Sequence, residues 1–116
     1  LYDMPSLFAG KIHAVICRAW QSRIKGRDLY DYVFYLSRGE AVNQKHLRAR
    51  LIDSGFIPAD ADCSLPEIKA MLAERFDSID YAQAGQDVEP FIHDSSVLNI
   101  WSADFFKQIT EGLTAV

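Results

Sequence analysis

Signals that start and stop α-helices recur along the whole chain and constrain its fold more than any other feature. The clearest of them lies in "SLPEIKAMLAERF", where Ser64 precedes a helix and Glu67 stands three positions later. This is the capping-box pattern, and Pro66 suits the first turn of a helix. No segment convincingly alternates apolar and polar residues as a half-buried β-strand does. The sequence therefore predicts an all-α fold.

Three further helices are predicted in the first half of the chain. They extend from Pro5 for about four turns, from Arg27 to Ser37, and from a cap at Asn43 to Ser54. Gly39 and Gly55 follow the second and third of these segments, and glycine commonly closes a helix because it adopts the left-handed conformation without strain. A polar link at residues 21–26 is predicted between the first two helices.

Two more helices are predicted in the last third of the chain. The segment "SIDYAQAGQDVEPFI" predicts a helix that Gly85 weakens and that ends near Glu89, before Pro90. The last helix is predicted to begin within residues 94–96 and to carry one apolar stripe. That stripe comprises Val97, Leu98, Trp101, Phe105, Phe106 and Ile109. Together these segments predict a compact bundle of five to six helices that forms one domain over residues 1–116.

Composition narrows the class of protein. With 49% hydrophobic and 24% charged residues the chain is typical of soluble globular proteins, and its net charge of −4 does not mark a strongly basic nucleic-acid-binding protein. Cys17 and Cys63 are too few for a disulfide framework and fit a reducing cytoplasm. No apolar run reaches the ~20 residues that cross a bilayer, and the start of the chain lacks a signal-peptide pattern. We therefore predict a cytoplasmic protein without membrane contact.

The second predicted helix carries two acids in a segment that otherwise suits burial. In "KGRDLYDYVFYL", residues 25–36, Asp28 and Asp31 share one helix face with Tyr32 and Tyr35. Little of the circumference of this helix suits contact with water, so we predict a central helix. A buried carboxylate without partners is costly, so both acids are predicted to meet cations, hydrogen-bond donors or a solvent-filled cleft.

The first predicted helix offers the matching cations. Lys11 and Arg18 are seven residues apart and therefore align on one face, and Arg27 stands next to Asp28. One hypothesis is an ion network that fixes the packing of the first two helices. The other is half of an active site, in which Lys11 holds a phosphate while the acids help to bind a cation or orient a nucleophile.

Two segments also resemble a known family. "PSLFAGKIHAVICR" followed by "KGRDLYDYVFYLSRG" is similar to the C-terminal conserved block of the AbiEii/AbiGii-type toxin family, and "DVEPFI...SVLNIW...FF" is similar to the tail of that family. Its members are nucleotidyltransferases of bacterial type IV toxin–antitoxin and abortive-infection systems. The resemblance implies the C-terminal helical domain of a nucleotidyltransferase-fold protein, which transfers nucleotides from an NTP to an acceptor such as tRNA.

The resemblance also implies roles for particular residues. Lys11 would contact the phosphates of the nucleotide, and Asp28 would be the acid that projects into the site. Arg27 and Asp31 would flank or brace that acid, and Arg18 would help to bind the nucleotide. Catalytic roles are thus implied for Lys11, Asp28 and Asp31, with the choice of the essential acid left open between the two aspartates. No metal ligand is assigned to this chain.

The rest of the implied active site is missing from this sequence. The family carries an upstream core with a Gly-Ser element and paired acids that hold Mg²⁺ and the phosphates of the NTP, whereas this chain contains no Gly-Ser dipeptide. The chain also starts at Leu1 rather than at Met. We therefore expect a fragment that is inactive alone, that has the upstream core as partner and Mg²⁺ and NTP as cofactors of the full-length enzyme, and that a cognate antitoxin can bind.

Two alternatives to this hypothesis remain open. The helical domain can act by itself as an interaction module that binds RNA or a protein partner. The third hypothesis is a small helical nuclease, which needs an Arg followed by a His at a short spacing. Arg18 has no such His, and the nearest fit, Arg38 to His46, is too long and crosses a loop.

Two other patterns have both a structural and a functional interpretation. The basic segment "QKHLRAR" is either an ordinary solvated helix face or a contact for RNA phosphates, and Arg50 is predicted to point away from its other cations. The aromatic residues Trp101, Phe105 and Phe106 are predicted to be core, or else a surface for a partner.

His13 is predicted to be a hydrogen-bonded structural histidine, because no second metal ligand has helical spacing with it.

Overall fold

A computed structural model of the chain describes residues 3–21 and 23–116, with residues 19–21 described by their backbone alone. Within that range the chain forms six α-helices and two short 3-10 helices. The helices are α1 (Met4–Gln21), α2 (Gly26–Ser37), α3 (Gln44–Asp53), α4 (Leu65–Phe76), α5 (Tyr81–Val88) and α6 (Ala103–Thr110), with 3-10 helices at Glu89–Phe91 and Ser95–Ile100. The all-α prediction is confirmed. The predicted link at 21–26 is shorter than expected, and its Ser22 lies outside the described residues.

The predicted helix caps form the hydrogen bonds that their sequences suggest. The side chain of Asn43 accepts from the backbone N–H of His46 at 3.0 Å, which starts α3. At the start of α4, Ser64 Oγ accepts from the N–H of Glu67 at 3.4 Å, and the carboxylate of Glu67 accepts from the N–H of Ser64 at 3.3 Å. Gly39 and Gly55 follow α2 and α3 with φ of 76° and 80°, a left-handed conformation that closes both helices.

The prediction of one continuous C-terminal helix is wrong. Asp94 caps only the 3-10 helix at Ser95–Ile100, and the chain is extended at Trp101 before α6 begins. The break occurs because Ser102 is a second cap, whose Oγ accepts from the N–H of Phe105 at 3.1 Å. The extended residue also turns the Trp101 side chain into the core, while Ile100 stays on the surface.

The helices pack around α1 and an aromatic cluster. Helix α1 packs against α2, α3 and α4, while α2 packs against α5 and α4 against α6. Tyr32 of α2 is fully buried, and its hydroxyl shares a hydrogen bond of 2.7 Å with Thr110 Oγ1 of α6. Phe106 and Trp101 are also buried beside it, which confirms the prediction of core residues for these two, whereas Phe105 is half-buried and packs against the core.

Helix α2 is less central than predicted. Leu29 and Tyr32 face the core and are fully buried, but the side chains of Tyr30 and Phe34 are exposed on the opposite side. The helix therefore has one side in the core and one apolar side open to solvent.

The end of the chain adds a contact that the sequence did not reveal. The N–H of Val42 donates to the carbonyl oxygen of Thr114 at 2.9 Å, and the N–H of Val116 donates to the carbonyl oxygen of Val42 at 2.9 Å. These bonds form one isolated parallel β-bridge, which ties the C-terminus to the loop before α3. Among the described helices, none combines the length and the apolar character needed to span a bilayer.

Candidate functional site

Two ion pairs join α1 to α2. Lys11 Nζ lies 3.0 Å from Asp31 Oδ2, and Arg18 Nη1 donates to both carboxylate oxygens of Asp28 at 3.2 and 3.1 Å. The predicted match between the acidic face of α2 and the cations of α1 is therefore confirmed. Lys11 and Arg18 share one face of α1 because they are seven residues apart, and Asp28 and Asp31 share one face of α2 because they are three residues apart. Each cation of α1 therefore meets one acid of α2.

The two acids have different surroundings. The Asp28 side chain is only 10% exposed, and its Oδ2 also accepts from the backbone N–H of Lys25 at 3.3 Å. Asp28 thus stabilises the start of α2 as well as holding Arg18. The Asp31 side chain is 29% exposed and has Lys11 as its ion-pair partner. Of the two acids, Asp31 is therefore the one more open to an incoming ligand.

A basic groove runs between α1 and α3, with a volume of about 280 Å³. We use this name for the surface lined by Gly10, Lys11, Arg18, Asp28, His46 and Arg50, with Ser6, Leu7 and Ala14 completing its wall. Three cations line this groove, but Lys11 is paired with Asp31 and Arg18 with Asp28, so the groove has one positive charge in excess, that of Arg50. Phosphate oxygens are ligands that arginine and lysine side chains bind well.

Arg50 enters this groove beside Gly10 of α1. The guanidinium carbon of Arg50 lies 3.8 Å from the position that a Cβ at Gly10 would occupy. Its Nε lies 3.2 Å from Nε2 of His46 and donates a hydrogen bond to it. The sequence predicts that Arg50 points away from the other cations of α3, but it does not reveal that Arg50 lies beside Lys11 and Arg18. That place depends on how α3 packs against α1.

The basic segment of α3 is therefore neither one solvated face nor one continuous contact surface. Arg48 donates to the carbonyl oxygens of Ala61 and Ala59 at 2.7 and 2.8 Å, and so fixes the loop that follows α3. Arg50 turns toward α1 instead, and Lys45 stays exposed.

An aromatic groove of about 450 Å³ lies on the other side of the start of α2. We use this name for the surface lined by Arg23, Lys25, Arg27, Tyr30, Asp31, Asp87 and Phe91, with Val88 and Ile92 at its base. Of the predicted site residues, Lys11, Arg18 and Asp28 line the basic groove, whereas Arg27 and Asp31 line the aromatic groove. The structure thus does not place Arg27 with Arg18. Nothing in the sequence indicated a role for Tyr30 or Phe91 here.

Asp87 of α5 is the acid that holds the two sides of the aromatic groove together. Its carboxylate accepts from Arg23 at 2.6 and 3.1 Å and from the backbone N–H of Gly26 at 3.0 Å. These hydrogen bonds, that from Arg23 first, lower the pKa of Asp87 below its usual value because they favour the charged carboxylate. Asp87 is therefore ionised at neutral pH and already paired.

The remaining candidate groups have structural surroundings. His13 Nε2 and Ser54 Oγ share a hydrogen bond of 3.2 Å, which confirms the prediction of a hydrogen-bonded histidine. Cys17 and Cys63 are buried free thiols, and burial raises the pKa of each. Among the described residues, no three His, Cys, Asp or Glu side chains lie close enough together to hold a metal ion.

His13 gives the folded chain a pH dependence. Burial, followed by the charge of Arg50, lowers its pKa below the ordinary value of 6.5, so the unfolded chain binds this proton more readily. The contribution to stability is fully present above pH 6.5 and is lost as the pH falls through the lowered pKa of the folded state. We expect the free energy of unfolding by urea to decrease between about pH 7 and pH 5.

The control for this prediction is the exposed histidine, His93. His93→Gln is expected to keep the decrease in stability, whereas His13→Gln is expected to flatten it. An unchanged decrease in His13→Gln would assign the effect to another group.

Fold and grooves together define an α-helical domain whose first three helices line a groove with the cations Lys11, Arg18 and Arg50. A family model described as "Nucleotidyl transferase AbiEii toxin, Type IV TA system" matches residues 1–108 of the chain. The chain therefore belongs to this family of toxin nucleotidyltransferases. No curated protein and no solved structure matches it significantly.

Proposed function

We propose that this chain is the C-terminal helical domain of a toxin that transfers nucleotides from an NTP to an acceptor such as tRNA, and that the basic groove forms one wall of its active site. The observation that carries the proposal is the convergence of Lys11, Arg18 and Arg50 on one groove. Nucleotidyl transfer needs positive charges to gather the triphosphate and to stabilise the charge that develops on it. The family to which the chain belongs supports the reaction class.

Lys11 is the group best placed to leave its protein partner for a phosphate. Its ammonium and the Asp31 carboxylate are both partly exposed, and such exposed pairs contribute only about 0–1 kcal/mol. A triphosphate can therefore compete for Lys11 at little cost to the fold. Released in this way, Asp31 would be free to act as the acid of the site.

Arg18 has a more constrained role. Its side chain is partly exposed, but the enclosed Asp28 holds one guanidinium nitrogen through both carboxylate oxygens. Among the described residues no other group bonds to this guanidinium, so its other nitrogens can meet an anion and Asp28 acts as a positioning residue for Arg18. Arg27 would act from the aromatic groove, on a different part of the substrate.

The described residues do not fit a magnesium site of their own. Mg²⁺ takes carboxylate, phosphate and water oxygens, whereas both oxygens of Asp28 already accept from Arg18. Asp31 alone is not a metal site. We therefore assign Mg²⁺ and the Gly-Ser element to an upstream nucleotidyltransferase core, and we expect the isolated chain to bind nucleotide weakly and to be inactive. A cognate antitoxin is the partner that this function implies.

Lys11→Ala tests the proposal in two preparations. In the longer protein that contains the core, we expect magnesium-dependent nucleotide transfer to fall about 100-fold, since a cation on the transferred phosphates is lost. In the 116-residue chain, we expect ATP binding measured by NMR titration to weaken about tenfold, with stability changed by less than about 1 kcal/mol.

The matched control is Lys45→Ala, which removes an exposed lysine outside both grooves. It should leave transfer and ATP binding unchanged. Undiminished transfer in Lys11→Ala would refute the role of the basic groove. Magnesium-dependent transfer by the isolated chain would refute the assignment of catalysis to an upstream core.

A further inference from the structure

Two cations in the aromatic groove, Lys25 and Arg27, form no close ion pair with a carboxylate of the described residues. Asp31 pairs with Lys11 at 3.0 Å, and Asp87 pairs with Arg23 at 2.6 Å, so both carboxylates of the groove are neutralised. Among the described residues, no carboxylate lies within 4.0 Å of the charged nitrogens of Lys25 or Arg27. The lining of the groove therefore holds three cations against two carboxylates, although the chain as a whole is acidic.

The same groove carries two aromatic rings that the core does not use. Phe91 is 82% exposed and Tyr30 is 41% exposed. Burying an exposed aromatic ring against a ligand gains free energy in proportion to the apolar area removed from water. Every nucleobase has a flat face that can stack on such a ring, whatever its sequence.

Aromatic rings beside unpaired cations form the combination that binds single-stranded nucleic acids. Stacking supplies affinity for the bases, and the cations track the phosphates of the backbone. A volume of about 450 Å³ lies within the usual range of small-ligand sites and is enough for one nucleotide. We propose that the aromatic groove binds one nucleotide unit of a single-stranded polynucleotide, with its base on Phe91 and Tyr30 and its phosphates on Lys25 and Arg27.

The aromatic groove adjoins the basic groove. Asp31 lines the aromatic groove, and its partner Lys11 lines the basic groove, so this ion pair separates the two surfaces. A strand end in the aromatic groove would then lie next to a triphosphate in the basic groove, as an acceptor should. This placement rests on the proposed function, whereas the binding of the strand does not.

Fluorescence anisotropy of a labelled single-stranded RNA of about ten nucleotides tests the binding with the 116-residue chain. Phe91→Ala and Arg27→Ala are each expected to weaken binding about tenfold, the first by loss of stacking and the second by loss of a phosphate contact. The matched controls are Phe34→Ala and Arg38→Ala, which remove an exposed ring and an exposed cation of the α2 region outside this groove. They are expected to change binding less than about twofold.

Competition experiments separate the sources of the ligand. An unlabelled single strand of RNA or DNA should displace the labelled RNA. Comparison of the two strands reports whether the 2′-hydroxyl contributes to binding. Neither a duplex nor free AMP should displace the labelled RNA. Equal losses in Phe34→Ala and Phe91→Ala, or displacement by AMP as good as by a strand, would overturn the inference.

The two proposals fail in different ways. If Lys11→Ala leaves ATP binding and transfer intact while Phe91→Ala weakens RNA binding, the proposed function is wrong and the strand site stands. If Lys11→Ala weakens ATP binding while Phe91→Ala leaves RNA binding unchanged, only the strand site is wrong.

Discussion

Gly26→Ala is expected to destabilise the fold severely. A Cβ at this position would overlap the carbonyl oxygen of Ala84 and would lie 2.8 Å from its carbonyl carbon. Because these are backbone atoms of α5, no side chain can rotate away, and α2 must separate from α5. Overpacking a core with side-chain atoms costs about 1–3 kcal/mol, and we expect more than about 3 kcal/mol here, measured by urea unfolding followed by circular dichroism.

Gly85→Ala is the matched control, because Gly85 lies in α5 one residue after Ala84. A Cβ there would meet Leu98 Cδ1 at 3.8 Å, an ordinary contact. In a helix interior alanine is more favourable than glycine by up to about 1 kcal/mol, so this variant is expected to gain stability. A Gly26→Ala variant as stable as the parent chain would contradict the close approach of α2 and α5.

Gly26 also positions both grooves. Its N–H donates to Asp87, and the next two residues of α2 are Arg27 and Asp28. The first turn of α2 can therefore present one cation to the aromatic groove and one acid to the basic groove only if the backbone comes this close to α5. The geometry of the candidate site thus depends on a residue that contributes no side chain.

Local signals account for the part of the fold that the sequence predicted well. Caps such as Asn43 and Ser64 act on the N–H groups of the next three residues, so their effect does not depend on the rest of the molecule. The sequence also predicted that the cations of α1 meet the acids of α2, because helical spacing places each set on one face. The C-terminal helix was mispredicted because Ser102 competes with an equally good cap eight residues earlier, at Asp94.

Long-range packing accounts for what the sequence could not show. Arg50 joins the basic groove only because α3 crosses α1 at Gly10, and Phe91 joins the aromatic groove only because the chain turns after α5. Likewise, Gly26 and Gly85 look alike in the sequence, although only one of them touches a neighbouring backbone. These relations arise between elements far apart in sequence, where no local pattern reports them.

Phe106→Ala is expected to remove the centre of the aromatic cluster that anchors α2. The ring is fully buried and lies within 5.1–6.5 Å, centroid to centroid, of five neighbouring rings. They belong to Tyr32, Phe76, Tyr81, Trp101 and Phe105. Truncating a buried phenylalanine to alanine costs about 3–5 kcal/mol, since transfer free energy is lost and a cavity remains. Urea unfolding of the 116-residue chain measures this loss.

Phe91→Ala makes the same chemical change at an 82% exposed ring and is expected to alter stability by no more than about 0.5 kcal/mol. The two substitutions therefore separate the two uses of phenylalanine in this chain, one in packing and one in the aromatic groove. Because Tyr32 contacts Phe106 from the helix that also carries Asp28, which positions Arg18, loss of the buried ring should loosen α2 and weaken ATP binding as well. A large loss of stability in Phe91→Ala would instead show that its ring is packed, and the aromatic groove would then lose its exposed base platform.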